Sequence, residues 1–136
     1  NILDKIEDVK LTNYKICLIN SDFKFEHKIR RNDLHLFITK NTGLVCSYEP
    51  CIYPGVKIQY FYNDDNDGEC KCSEYCDNKK KTSKCSKITI AIFESGCTII
   101  TGAKNINQIN TTYKFITDLV NNNISSFKKK DLPILE

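Results

Sequence analysis

The clearest pattern along the chain is alternation. From Val56 to Tyr62, Val56, Ile58, Tyr60 and Tyr62 point one way while Lys57, Gln59 and Phe61 point the other. That period of two is what a strand with one buried and one open face requires. The same period returns at Lys87: Ile88, Ile90 and Ile92 share one face, and Thr89, Ala91 and Phe93 the opposite one, so a phenylalanine ends an otherwise small and polar surface. Glu94-Ser95-Gly96 reads as a tight hairpin, after which Cys97 to Gly102 returns antiparallel with Cys97, Ile99 and Thr101 on one side. Tyr14 to Asn20 and Leu44 to Tyr48 are further strand candidates. The second runs into Glu49-Pro50-Cys51-Ile52-Tyr53-Pro54-Gly55, where two prolines allow only an edge, bend or turn.

Helical spacing occurs twice. Between Asn32 and Asn41, Leu34, Phe37 and Ile38 fall on one side, with Asn32 placed as N-cap. Ile106, Ile109, Tyr113, Ile116 and Val120 recur at steps of three and four, one apolar stripe that assigns Ile106 and Ile109 to the core. Asn105 with Gln108 resembles a capping box, and the helix should end near Asn121-Asn122-Asn123. The order strand, helix, several antiparallel strands, helix predicts an α+β class, a sheet of about five strands with two helices on one face. Residues 1–13 read as a charged linker, 63–86 as a polar, lysine- and cysteine-rich insert, and 124–136 as a tail without a strong structural signal.

Composition narrows this picture only a little. The 136 residues suffice for one domain, and a net charge of +3 is too mild to demand a nucleic-acid partner. No stretch has the apolar length to span a bilayer, and Asn1-Ile2-Leu3-Asp4 is neither a signal peptide nor an initiator methionine with a targeting signal. The expectation is a soluble intracellular fragment of something longer. His27 and His35 fall in no metal or nucleophile motif, there is no phosphate-binding glycine loop, and Asp64, Asp65 and Asp67 sit in a turn-rich insert. The segment therefore reads as non-catalytic.

The eight cysteines change more. Cys70, Cys72, Cys76 and Cys85 cluster in the insert, which has too few apolar residues to fold by itself; a tetrahedral zinc could order it, and all-cysteine ligation would make that zinc structural. An insert with reduced thiols, or with disulfides, is the alternative. Lys79-Lys80-Lys81 reads as a solvated face. Cys17, Cys46, Cys51 and Cys97 can be small core residues or surface thiols.

Two segments carry a family resemblance: Tyr48-Glu49-Pro50-Cys51-Ile52-Tyr53-Pro54-Gly55, and Ile92-Phe93-Glu94-Ser95-Gly96-Cys97-Thr98-Ile99-Ile100-Thr101-Gly102-Ala103-Lys104. The first resembles the Tyr-Glu-Pro segment of the TATA-box-binding proteins, and the second their phenylalanine, turn, strand and Thr-Gly-Ala-Lys signature. They stand in family order, followed by the long helix. The likeness covers about one repeat, residues 14–123 interrupted by the insert, and is closer to the family's second repeat. The resemblance implies a half-saddle with a curved antiparallel sheet, and a partner repeat upstream of Asn1 or a homodimer. With the abundance of Asn, Lys and Ile pointing to an AT-rich coding genome, it favours the factors of large DNA viruses, in the nucleus or a cytoplasmic viral factory.

What the resemblance implies for function is non-catalytic binding and bending of duplex DNA, with an AT-rich promoter as the expected target, alongside initiation factors and RNA polymerase. In this family aromatic wedges enter base steps from the minor groove. The matching positions are Phe93 and Tyr53, the latter in place of the usual phenylalanine and carrying a hydroxyl that needs a polar partner. Ile99 and Thr101 match groove-contact positions, Ala91 is smaller than the usual contact, and Lys57, Gln59 and Lys104 lie at or beside phosphate-contact positions. Leu18 stands where the family has a polar contact, with Asn20 close by. An interaction scaffold that has kept the fold and lost the groove-binding surface is the second reading.

Overall fold

Isoleucine, valine and tyrosine at every second position build the sheet, because β-branched and aromatic side chains suit a pleated, half-buried surface. The computed structural model describes residues 18–72, 76 and 84–130. Among them the strands are β1 (Ile19–Lys24), β2 (Val45–Ser47), β3 (Val56–Tyr62), β4 (Ser86–Ile92) and β5 (Cys97–Ala103), in one antiparallel sheet of order β1-β5-β4-β3-β2. Helices α1 (Arg31–Asn41) and α2 (Ile106–Asn122) supply the second layer, followed by a 3-10 turn at Ile124–Ser126.

The register settles which residues share a face. Ile58 pairs with Ile90 and Ile90 with Ile100, so Val56, Ile58 and Tyr60, Ile88, Ile90 and Ile92, and Ile100 form one apolar floor, all fully buried. Leu34 and Ile38 of α1 and Ile109, Ile116 and Val120 of α2 join that same cluster, so both helices lie on this side. Each such side chain contributes about 1.5–3 kcal/mol by leaving water. Tyr60 packs on Phe115 with ring centroids 4.9 Å apart.

Four expectations need correction. The first strand runs over Ile19–Lys24, later than the Tyr14 to Asn20 run, of which residues 14–17 lie outside the described residues. An edge strand with one solvated face can be mostly polar, and Asn20-Ser21-Asp22-Phe23-Lys24 is. Helix α1 begins at Arg31 with Arg30 at the N-cap, so Asn32 lies inside its first turn. In α2 the buried line is Gln108, Ile109, Thr112, Ile116 and Val120; Ile106, 59% exposed, and Tyr113 fall on its flank at about 100° per residue. Thr112 can occupy the core because its hydroxyl donates to the Gln108 carbonyl.

The capping box is half formed. Asn105 accepts from the Gln108 N–H at 2.9 Å, but the Gln108 amide oxygen accepts from the Lys104 N–H at 2.8 Å instead of returning to Asn105. The residues directly after α2 are held against the domain. Phe127 is fully buried against Phe37, Lys128 bridges Ile29, and the Arg30 guanidinium donates to the Ser126 and Lys128 carbonyls.

Candidate nucleic-acid interface

The face away from the helices is built by the complementary positions of the same strands. Ser47 lies opposite Lys57, Lys57 opposite Ala91, Ala91 opposite Ile99 and Ile99 opposite Asp22, one row across all five strands. The adjoining row runs Val45, Gln59, Thr89, Thr101. The Thr89 hydroxyl donates to the Gln59 amide oxygen at 2.9 Å. The surface is thus mostly small and partly hydroxylated, with Lys24, Lys57 and Lys87 as its cations and Asp22 as an anion.

Tyr53 and Phe93 come together at one end of this face, ring centroids 5.7 Å apart and inclined at 58°. The Lys57 ammonium stands 4.3 Å over the Tyr53 ring. Gly55 is the floor beneath both rings: a Cβ there would lie 2.9 Å from Tyr53 Cε1 and 3.2 Å from Phe93 Cε1. Gly96, at φ 92°, turns β4 into β5 with its N–H donating to the Phe93 carbonyl.

Of the residues expected in the site, Tyr53, Phe93, Lys57, Gln59, Ile99 and Thr101 are half-buried on this surface. Ala91 lies within it but is only 5% exposed, so it offers little area. Lys104 is exposed beyond the end of β5. Leu18 and Asn20 are both exposed at the β1 edge.

Arg31 escaped the sequence reading. Its guanidinium donates to the Pro54 carbonyl at 2.7 Å and to Glu94 at 3.2 Å, and stacks 5.4 Å over the Tyr48 ring. Pro54 adjoins Tyr53 and Glu94 adjoins Phe93, so one side chain ties together the two connections that carry the rings. Its partners are remote in sequence, and no local pattern marks it. Asp22 was missed as well: alternation within the misplaced first strand could not put it opposite Ile99. Lys129 pairs with Glu94 from the far side, and this cation, followed by Arg31, holds the Glu94 carboxyl below its usual range.

The four insert cysteines also converge. Their sulfurs stand 3.7 Å (Cys70–Cys76), 3.6 Å (Cys72–Cys76), 3.9 Å (Cys72–Cys85) and 3.9 Å (Cys70–Cys85) apart, all within 4.8 Å of one another. These separations match the edge of about 3.8 Å expected for a tetrahedron with each sulfur about 2.3 Å from its centre. The cluster could hold a metal ion. The Cys85 backbone, hydrogen-bonding to the Cys76 sulfur, draws that thiol down to about 6. Of the other thiols, Cys51 and Cys97 are exposed, Cys46 is pushed up to about 12 by burial, and Cys17 lies outside the described residues.

Comparison with known proteins agrees with this architecture. A family model described as "Transcription factor TFIID (or TATA-binding protein, TBP)" matches residues 13–123, a span that takes in all five strands and both helices. A TATA-box-binding protein-like relative from Acanthamoeba polyphaga mimivirus is 32% identical over 108 residues, which cover 79% of this chain and 27% of the relative. The chain therefore spans little more than a quarter of that viral protein's length. Among the described residues no helix is long and apolar enough to cross a membrane. With its strand order, its two helices on one face and a family match over most of its length, the chain belongs to the TATA-binding protein family.

Proposed function

We propose that this chain is a non-enzymatic transcription initiation factor that binds and bends duplex DNA through the minor groove, using the open face of its sheet. The observation that carries the reading is the Tyr53–Phe93 ring pair at the end of a face of mostly small side chains. Such rings can enter a base step and unstack it, and the cost of unstacking is offset by the larger contact with bent DNA. Ile99 supplies apolar contact, while Thr101 and the Gln59 amide nitrogen can donate to the acceptors that A·T pairs present in the minor groove. Lys57 and Lys104 would contact phosphates and position the duplex. A second repeat, or a second copy, would extend the sheet along the outer edge of β1. The likeness to a viral relative supports a role with viral initiation factors and RNA polymerase, in the nucleus or a viral factory.

Zinc is the metal that best suits the four-cysteine cluster, in a structural role: four thiolates leave no open coordination position for chemistry. One observation favours the scaffold reading. Asp22 places a negative charge on the face where groove acceptors and phosphates would lie. Anisotropy of a labelled AT-rich duplex separates the two readings, comparing the full protein with Phe93→Ala and Tyr53→Ala. Each substitution should weaken binding about tenfold or more, equivalent to about 1.4 kcal/mol, and reduce bending measured by energy transfer between the duplex ends. Salt-sensitive binding that ignores both substitutions would rule out wedging, and no binding by the intact protein would leave the scaffold.

A further inference from the structure

Phe61 belongs to the open face. It follows Lys57 and Gln59 at steps of two along β3 and lies opposite Lys87. An aromatic ring in that place should be as accessible as Phe93, yet Phe61 is only 3% exposed. Cysteine covers it: Cys76 and Cys85 are buried with it, and Cys70 and Cys72 pack against the group. The connection that brings them there is pinned at its base. The Phe61 N–H donates to the Gly68 carbonyl, and the Asn63 amide donates to the Glu69 carbonyl and the Cys85 sulfur. The cluster therefore stands over the DNA-facing side of the sheet, at the end of β4 remote from Phe93.

We propose that the four cysteines form a metal-held cover on this face: with a zinc-class cation bound, Phe61 is sealed and that end of the face is closed to the duplex. Without the metal, sulfurs at these separations lose the centre that holds them together, and the Phe61 ring becomes a third aromatic presented to DNA. The covering rests on the cluster alone; its effect on DNA rests on the groove-binding function proposed above.

The chain contains no tryptophan, so single reporters can be placed in it. In Phe61→Trp, zinc should give blue-shifted emission poorly quenched by acrylamide, and a chelator should shift it red. An AT-rich duplex should quench this reporter only after chelation, whereas the reporter in Phe93→Trp should be quenched in both states. Cobalt uptake, read by its thiolate charge-transfer band, and native mass report metal content. A protein that takes up neither metal overturns the proposal. So does a Phe61→Trp emission that ignores verified metal loss, or quenching by duplex while zinc is bound.

If the Phe93→Trp reporter is never quenched while the one at position 61 responds to zinc, the DNA-binding reading falls and the cover stands. Should Phe61→Trp not fold, hydrogen exchange of the wild-type Phe61 amide keeps the test open. Exchange should accelerate on chelation, and unchanged protection overturns the cover.

Discussion

Tyr53 and Phe93 arrive from different connections of the sheet, yet their rings meet over Gly55 at 5.7 Å. The absence of a Cβ at that glycine lets both rings settle on the backbone. Gly55→Ala should force them apart, at a cost of about 1–3 kcal/mol of stability for overpacking, and should reduce DNA bending more than DNA affinity. Chemical denaturation and end-to-end energy transfer on the same duplex check this; unchanged bending would show that ring spacing is immaterial.

Arg31 holds those two connections at Pro54 and Glu94. Arg31→Ala should leave phosphate-driven affinity largely intact while broadening the distribution of bend angles, and Arg31→Lys should rescue it only in part because one ammonium cannot span both acceptors. The same link implies a pH dependence. The folded state depresses the Glu94 carboxyl, so its contribution is fully present above the ordinary carboxylate range and is lost as pH falls through the depressed value. Bend angle should hold steady from neutral pH down to that range and broaden below it, which a pH series on wild type and Glu94→Gln would reveal.

Asp22 sits opposite Ile99 on the proposed contact surface. Replacing it by Asn removes a charge that repels the duplex, worth about 1 kcal/mol near a solvated surface, so affinity should rise about fivefold. Anisotropy at two salt concentrations tests this, and unchanged or weaker binding would argue that DNA does not approach β1.

The thiols should fall into classes on treatment with a maleimide followed by peptide mass mapping. Cys51 and Cys97 are exposed and should react first, whereas Cys46, half-buried and held protonated by burial, should react more slowly than either. Because Cys97 shares the open face with Ile99, a bulky adduct there should block DNA binding, and bound duplex should protect it in turn. Rapid labelling of Cys97 without effect on binding would place the duplex elsewhere.

Much of the architecture is legible along the chain. Alternation in β3 and β4 marks both faces, since Val56, Ile58 and Tyr60 alternate with Lys57 and Gln59, and Ile88, Ile90 and Ile92 with Thr89 and Ala91. The β1 edge misleads because the apolar run before it outweighs a strand whose outward positions are free to be polar. Arg31 and Asp22 acquire their places only through remote partners, and Phe61 reads as an open-face residue until the insert folds onto it. The two rings could be named from family motifs, whereas the glycine floor beneath them needs coordinates.

Strand order also has a consequence for the route by which the chain folds. The β4–β5 hairpin and the helix after it are built from near neighbours, and they can form a nucleus early. β1 must instead cross to the last strand, and Lys128 must return to Ile29, so both ends dock late. Amides of β1 should therefore lose exchange protection before those of β4 under mild denaturant. In that partly opened state β5 would become an unguarded sheet edge, able to accept a strand from another molecule and to seed aggregation.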